Sequence, residues 1–270
     1  MMDGVALAQE RAPLPRARWE PGSKPDPYCS DNRRVSHKSF NTLVAEYAIE
    51  QLVPQLSTQG LPMPASLQVA MQLETVGLDQ QPLTTPVEQL NYLAKLHNAK
   101  VTLDYNKLAR HQWLPEYNPM LLGYFNPAKR RLLAAMLDSL CYDFQHLFRP
   151  ISLIAGVSEI THWGRMPTGE LMLANLQRIS LGNPALDLAG TFVHLPTVDN
   201  CYQMAQAYLQ INSQFKRNIN QLTVDILAAA VWLKVDKCRL VCLGLDEFSV
   251  TEENFYFEQV SQWLVALMNK

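Results

Sequence analysis

The residues best suited to chemistry cluster between Ile151 and Gly190. Glu159 and His162 stand three apart, a spacing that can offer a carboxylate and an imidazole to one proton or one metal ion. Two ligands fall short of a closed metal site, so the pair by itself predicts none. Cys238 and Cys242 lie one helical turn apart in an apolar run, where packed thiols are expected rather than metal ligands. Cys29, Cys141 and Cys201 complete an odd set with no CxxC pair, so neither a disulfide framework nor a thiolate metal site is expected. A further acidic residue, Asp187, falls in Gly182-Asn183-Pro184-Ala185-Leu186-Asp187-Leu188-Ala189.

The elements that must hold these residues follow from periodicity and breakers. Ile151-Ser152-Leu153-Ile154 and Leu171-Met172-Leu173-Ala174 are short apolar runs that predict buried strands, the second preceded by the turn Pro167-Thr168-Gly169. A helix is expected from Thr85-Pro86, with Glu88 completing a capping box and Leu90, Leu93, Ala94 and His97 on one face. Another begins at Asn126-Pro127 and carries the stripe Leu133, Met136, Leu137, Leu140, Cys141 and Phe144. Upstream, Phe40, Leu43, Val44 and Tyr47 share a helical face, and Gly60 suits the stop. From about Asp199 the pattern is mostly helical, ending in an amphipathic helix with Phe255, Val260, Trp263, Leu264 and Leu267. Five prolines between Arg11 and Ser30 exclude a long helix there, leaving Val5–Ala8 and Ala17–Trp19 as short strands. Trp113, Tyr124 and Trp163 are expected to pack in the core rather than line a cleft.

Composition bounds the function classes. The chain has 270 residues, 48% of them hydrophobic and 18% charged, enough apolar material for one large domain or two lobes. Its 23 basic and 25 acidic residues give a net charge of −2, which removes the electrostatic case for nucleic-acid binding. No apolar run reaches the ~20 residues of a membrane span, and no basic-then-apolar leader opens the chain. A cytoplasmic protein is expected, with no nucleic-acid and no membrane partner.

The segment Gly182–Ala189 resembles the G-D-P-A-x-D-L-A segment of the aminoglycoside phosphotransferase and choline/thiamine kinase-like family, with Asn183 in place of the first Asp. That family's order is a strand, H-G-D-x-H-P-x-N, a hairpin ending in D-G-x-L, a strand ending in Asp, then the G-D-P segment. The chain follows it without a gap: Ile151–Ile154, Gly156, Thr168-Gly169-Glu170-Leu171, Leu171–Ala174, then Gly182. Leu93-Ala94-Lys95-Leu96-His97 resembles the helix end before the catalytic lobe, and Glu46 resembles the helical Glu that pairs with a nucleotide-contacting cation. The resemblance covers roughly residues 40–270, most clearly after residue 150.

It implies an α+β, protein-kinase-like two-lobe fold. A reduced N-lobe of small sheet and helix would occupy residues 1–84, and a mainly helical C-lobe residues 85–270. It also implies that Asp187 braces the catalytic loop through backbone hydrogen bonds, and that Glu46 with Arg18 or Arg34 is what remains of a nucleotide site. The chemical positions have been replaced. The catalytic Asp falls on Val157 and the His before it on Ala155; the magnesium-binding Asn falls on His162 and the metal-chelating Asp on Asn175. Magnesium takes hard anionic oxygens, and valine can neither accept a proton nor orient a hydroxyl. Only Gly4 and Gly22 precede Gly60, so no glycine-rich phosphate loop is present.

A catalytically inactive pseudokinase is therefore expected, binding or regulating a protein or small-molecule partner and needing no cofactor. The alternative is an active phosphotransferase using ATP and magnesium on an amino-alcohol, thiamine, sugar or aminoglycoside hydroxyl. Glu159, two residues beyond Val157, would then be the substitute base.

Overall fold

Apolar stripes at helical spacing account for most of the architecture. The computed structural model describes residues 40–64, 86–102, 108, 110–125, 127–156, 163–174, 176–192 and 195–244. Several expectations lie outside the described residues: the strands at 5–8 and 17–19, the lobe boundary at 84/85, the last amphipathic helix, and Arg18, Arg34, Val157, Glu159, His162 and Asn175. The described residues all belong to one compact unit.

Helix α1 spans Phe40–Thr58 and buries Ala48, Ile49, Leu52, Val53 and Leu56. This corrects the expected face: Tyr47 is 58% exposed. Ala48, Leu52 and Leu56 recur every four residues and make the denser stripe, and Tyr47 sits a quarter-turn away from it. Near the end of α1, Gln55 and Gln59 reach an extended segment. Gln59 accepts from Lys100 N at 2.9 Å and donates to Lys100 O at 2.8 Å, and Gln55 does the same with Thr102 at 2.8 and 3.2 Å. Four helical residues rise about 6 Å and two extended residues about 6.6 Å, so two amides four apart can pair with backbone two apart.

Helix α2, Pro86–Asn98, buries Leu90, Leu93, Ala94 and His97, the expected face. A 3-10 turn at Pro115–Tyr117 leads into the short α3, Asn118–Leu122, and α4 runs Pro127–Asp143 with Leu133, Leu137 and Cys141 buried. Trp113 and Trp163 are fully buried, as expected, whereas Tyr124 is 37% exposed at the loop after α3 and is not a core residue.

Strand β1, Ser152–Ile154, pairs antiparallel with β4, Ser180–Gly182, in the register Leu153↔Leu181. Strand β2, Trp163–Arg165, pairs antiparallel with β3, Leu171–Leu173, through the turn at Met166–Gly169. Arg165 also reaches across to Glu88 of α2 at 3.1 Å. Helix α5, Ala185–Gly190, is buried along its whole length. Helix α6, Val198–Ile211, opens on a capping box in which Thr197 and Asn200 exchange hydrogen bonds, and α7, Ile219–Cys242, is capped by the Asn218 carboxamide.

Helix α7 packs against α3, α5 and α6, while α2 packs on β1, β3 and α6. The described chain is thus α+β, a mainly helical body holding two small antiparallel sheets. Of the thiol pair on α7, Cys238 is buried and Cys242 is exposed, so only the first meets the expectation of packing. Burial pushes the Cys238 thiol up to about 12, which leaves it protonated and unreactive at neutral pH. No helix among the described residues is long and apolar enough to cross a membrane.

Candidate functional site

Because α5 is buried from end to end, the one carboxylate it carries must be satisfied from within the protein. Asp187 is fully buried, and described residues give its carboxylate three hydrogen bonds. Two come from the backbone just beyond β1, Ala155 N at 2.7 Å and Gly156 N at 2.8 Å, and the third from His97 Nε2 at 2.9 Å. The chain after β1 is thereby pinned to α5, and α5 to the last turn of α2.

The network continues in one direction. Asn98 donates to Asn212 Oδ1 at 2.8 Å, Asn212 donates to the Tyr208 hydroxyl at 2.8 Å, and Tyr208 lies 2.6 Å from His97 Nδ1. The Asp187 carboxylate can only accept, so His97 places its ring hydrogen on Nε2 and gives it to Asp187, which leaves Nδ1 to accept the Tyr208 hydroxyl hydrogen. Burial pushes the Tyr208 phenol far above its ordinary value, with the Asn212 bond opposing, so the hydroxyl stays a donor. Every polar atom named in this series has a partner, which is the condition for a buried polar network to rigidify rather than weaken a core.

A second buried carboxylate accounts for an amide at position 183. Asp225 of α7 is fully buried and accepts from His146 at 2.8 Å, Gln221 at 2.9 Å, Arg217 at 3.0 Å and Asn183 Nδ2 at 3.3 Å. The other end of the Asn183 carboxamide accepts from Ala185 N at 2.9 Å and opens α5. An amide can donate to Asp225 while accepting from Ala185; an aspartate in its place would set a second carboxylate against the first.

A third cluster joins separate parts of the chain around Asp236 of α7. Arg178, just before β4, makes a short ion pair with Asp236 Oδ2, while Arg239 approaches Oδ1 through Nε at 2.8 Å and Nη2 at 2.7 Å. Burial works to raise the Asp236 pKa, but Arg178 and then Arg239 outweigh it and hold the carboxyl below its ordinary value. His111 Nε2 donates to Arg178 O at 2.9 Å, and its ring stands edge-on to Trp232 at 5.5 Å. Burial first, and the Arg178 guanidinium second, pull the His111 pKa down to about 4.

The sign of the pH dependence follows. The unfolded ring titrates near 6.5, so between about 6.5 and 4 the unfolded chain binds a proton that the folded one refuses. The stability owed to His111 is complete above that window, drains as pH falls through it, and falls no further below it; the full amount is about 3 kcal/mol. Urea denaturation at about pH 7 and about pH 4.5 is expected to show His111→Gln losing most of that pH-dependent difference relative to wild type. An equal difference in both proteins would contradict the assignment.

Of the residues singled out in the sequence, the structure brings Ala155, next to Gly156, together with Asp187. Glu46 lies half-buried on α1. The His97–Asp187 bond, the contacts of Asp225 with Asn183 and His146, and the Arg178–Asp236 pair carry no local sequence signal, because their partners are tens of residues apart; only Arg239, three residues from Asp236 on α7, is a local partner. Among the described residues no group of three or more His, Cys, Asp or Glu could hold a metal ion. No model of a known protein family matches the chain, and neither does any curated protein sequence.

Proposed function

We propose that the chain is a catalytically inactive member of the aminoglycoside phosphotransferase/choline kinase-like family, a pseudokinase that binds or regulates a partner. The observation that carries this reading is the Asp187 carboxylate holding Ala155 N and Gly156 N, the contact expected of the acidic residue that braces this family's catalytic loop. With it goes the two-lobe arrangement, residues 85–270 forming the helical lobe that presents the loop.

The chemistry at the corresponding positions supports inactivity. Ala155, Val157 and Asn175 offer no carboxylate to orient an acceptor hydroxyl or neutralise a magnesium ion, and His162 offers an imidazole where a hard oxygen is wanted. Residues of such a constellation act as a unit, so the loss of base and metal carboxylate together removes many orders of magnitude in rate. A polar network that is fully bonded keeps a loop in shape whether or not the loop performs a reaction, which is how a scaffold can outlast its activity.

The test is incubation with ATP, magnesium and a panel of choline, thiamine, sugar and aminoglycoside acceptors. No acceptor-dependent ADP release is expected. Release at ordinary kinase rates, abolished by Glu159→Ala, would instead establish the active phosphotransferase with Glu159 as displaced base.

A further inference from the structure

The cluster around Asp236 opens to the surface as a recess lined by Arg110, His111, Gln112, Tyr117, Asp236 and Arg239. We propose that this recess binds a phosphate-type oxyanion, either free phosphate or the phosphate group of a small metabolite, with Arg239 and Arg110 as its cationic lining.

Three observations carry the assignment. The first is charge. Two guanidiniums and one carboxylate line the recess, and Arg178 stands behind as a third guanidinium paired with the same Asp236. Arg178 and Arg239 hold that carboxyl ionised and share its single negative charge, so these three groups together bring one positive charge in excess to the recess.

The second is preorganisation. Arg239 is held through Nε and Nη2 by Asp236, and its guanidinium lies over the Tyr117 ring at 5.3 Å. A guanidinium fixed by an ion pair and an aromatic face loses little side-chain freedom when a ligand arrives. The carboxylate occupies one edge of the fork and leaves the planar group in a set orientation.

The third is the hydrogen-bonding sense of the neutral groups. The Tyr117 hydroxyl accepts from Gln112 Nε2 at 3.0 Å, so its own hydrogen is the one available to a ligand. Its neighbours Arg110 and Arg239 are donors only. A concavity rich in donors and in positive charge suits a tetrahedral oxyanion and repels a metal cation. This assignment does not depend on kinase ancestry, for no residue of it belongs to the positions discussed under that reading.

The test uses the full chain, without ATP or magnesium, so that its failure is separate from failure of the pseudokinase reading. Calorimetric titration with inorganic phosphate and with glycerol phosphate, against chloride at matched ionic strength, is expected to show saturable binding of one ion per chain. Arg239→Gln is expected to weaken it about tenfold or more, Arg239→Lys less, and Arg110→Gln to weaken it as well. Glycerol phosphate binding as tightly as inorganic phosphate identifies the phosphate group of a metabolite as a ligand; binding of the inorganic ion alone identifies free phosphate. Circular dichroism melts establish that each variant is folded, and should Arg239→Gln fail to fold, Arg239→Lys and Arg110→Gln decide. Absence of saturable binding above chloride, or an affinity unchanged in every folded variant, would overturn the proposal.

Discussion

Asp187→Ala is expected to lose about 3–5 kcal/mol of stability in urea denaturation, the range for removing one partner from a buried, bonded charge. The reason is what stays behind. Ala155 N, Gly156 N and His97 Nε2 all donate to this carboxylate, and alanine strands three donors in a place where water does not reach them. Asp187→Asn is the sharper probe. Its volume is the same, but its NH2 group turns a donor toward donors, so most of the loss is expected to persist. Amide hydrogen exchange supplies an independent readout: the Ala155 and Gly156 N–H groups should lose their protection in both variants. A cost below about 1 kcal/mol in either would mean that the carboxylate is not the organiser described here.

Gly156→Ala is expected to be comparably damaging, through a different mechanism. The residue has φ +86°, a region that L side chains rarely adopt. A Cβ there would run into the Arg178 carbonyl oxygen and His111 Nε2, two atoms already bonded to each other. Neither can give way without breaking that bond and shifting the start of β4. Strain and overpacking together predict a loss of about 3 kcal/mol or more. Gly60→Ala is the control. Its φ is +76°, but nothing lies within 4 Å of the added carbon, so only the backbone penalty of about 1 kcal/mol is expected. Thermal denaturation of the two variants side by side separates steric conflict from backbone preference; equal losses would show that the Gly156 environment is more yielding than its contacts imply.

The helices were largely legible in the sequence because their burial is local and periodic. The stripe Leu133, Leu137 and Cys141 could be read at sight, as could the inward face of α2. Helix α1 shows the limit: with apolar residues on more than one face, the neighbours that cover Ala48, Leu52 and Leu56 decide which face turns inward, and Tyr47 is left outside. Strands β1 and β3 stood out as apolar runs. Their partners did not, since Trp163-Gly164-Arg165 and Ser180-Leu181-Gly182 become strands only by pairing with them.

The candidate site divides in the same way. Asp187 was conspicuous from its segment, and His97 from the helix before it, but nothing local joins two residues ninety positions apart. Asn183 reads as a mismatch to the resembled segment until Asp225 is seen beside it, where an amide is the group that fits. The cluster at Asp236 was invisible, because the Asp236–Arg239 pair reads as an ordinary helix-surface contact until folding brings Arg178 to the same carboxylate and His111 to the Arg178 carbonyl.

Helix α7 has a mechanical consequence that its packing alone does not convey. Asp225, Trp232 and Asp236 follow one another at intervals of two turns and about one turn, and each grips a different part of the chain: Asn183 and His146, the carbonyl of Gln112, and Arg178. The helix works as a ruler, with three marks along about 16 Å of its length that fix the loops at Gln112 and His146 and the two ends of β4. Sliding it by a single residue would rotate all three marks off their loops at once. Those loops therefore have no independent way to settle or to loosen, and regions far apart in the sequence are tied to a single register.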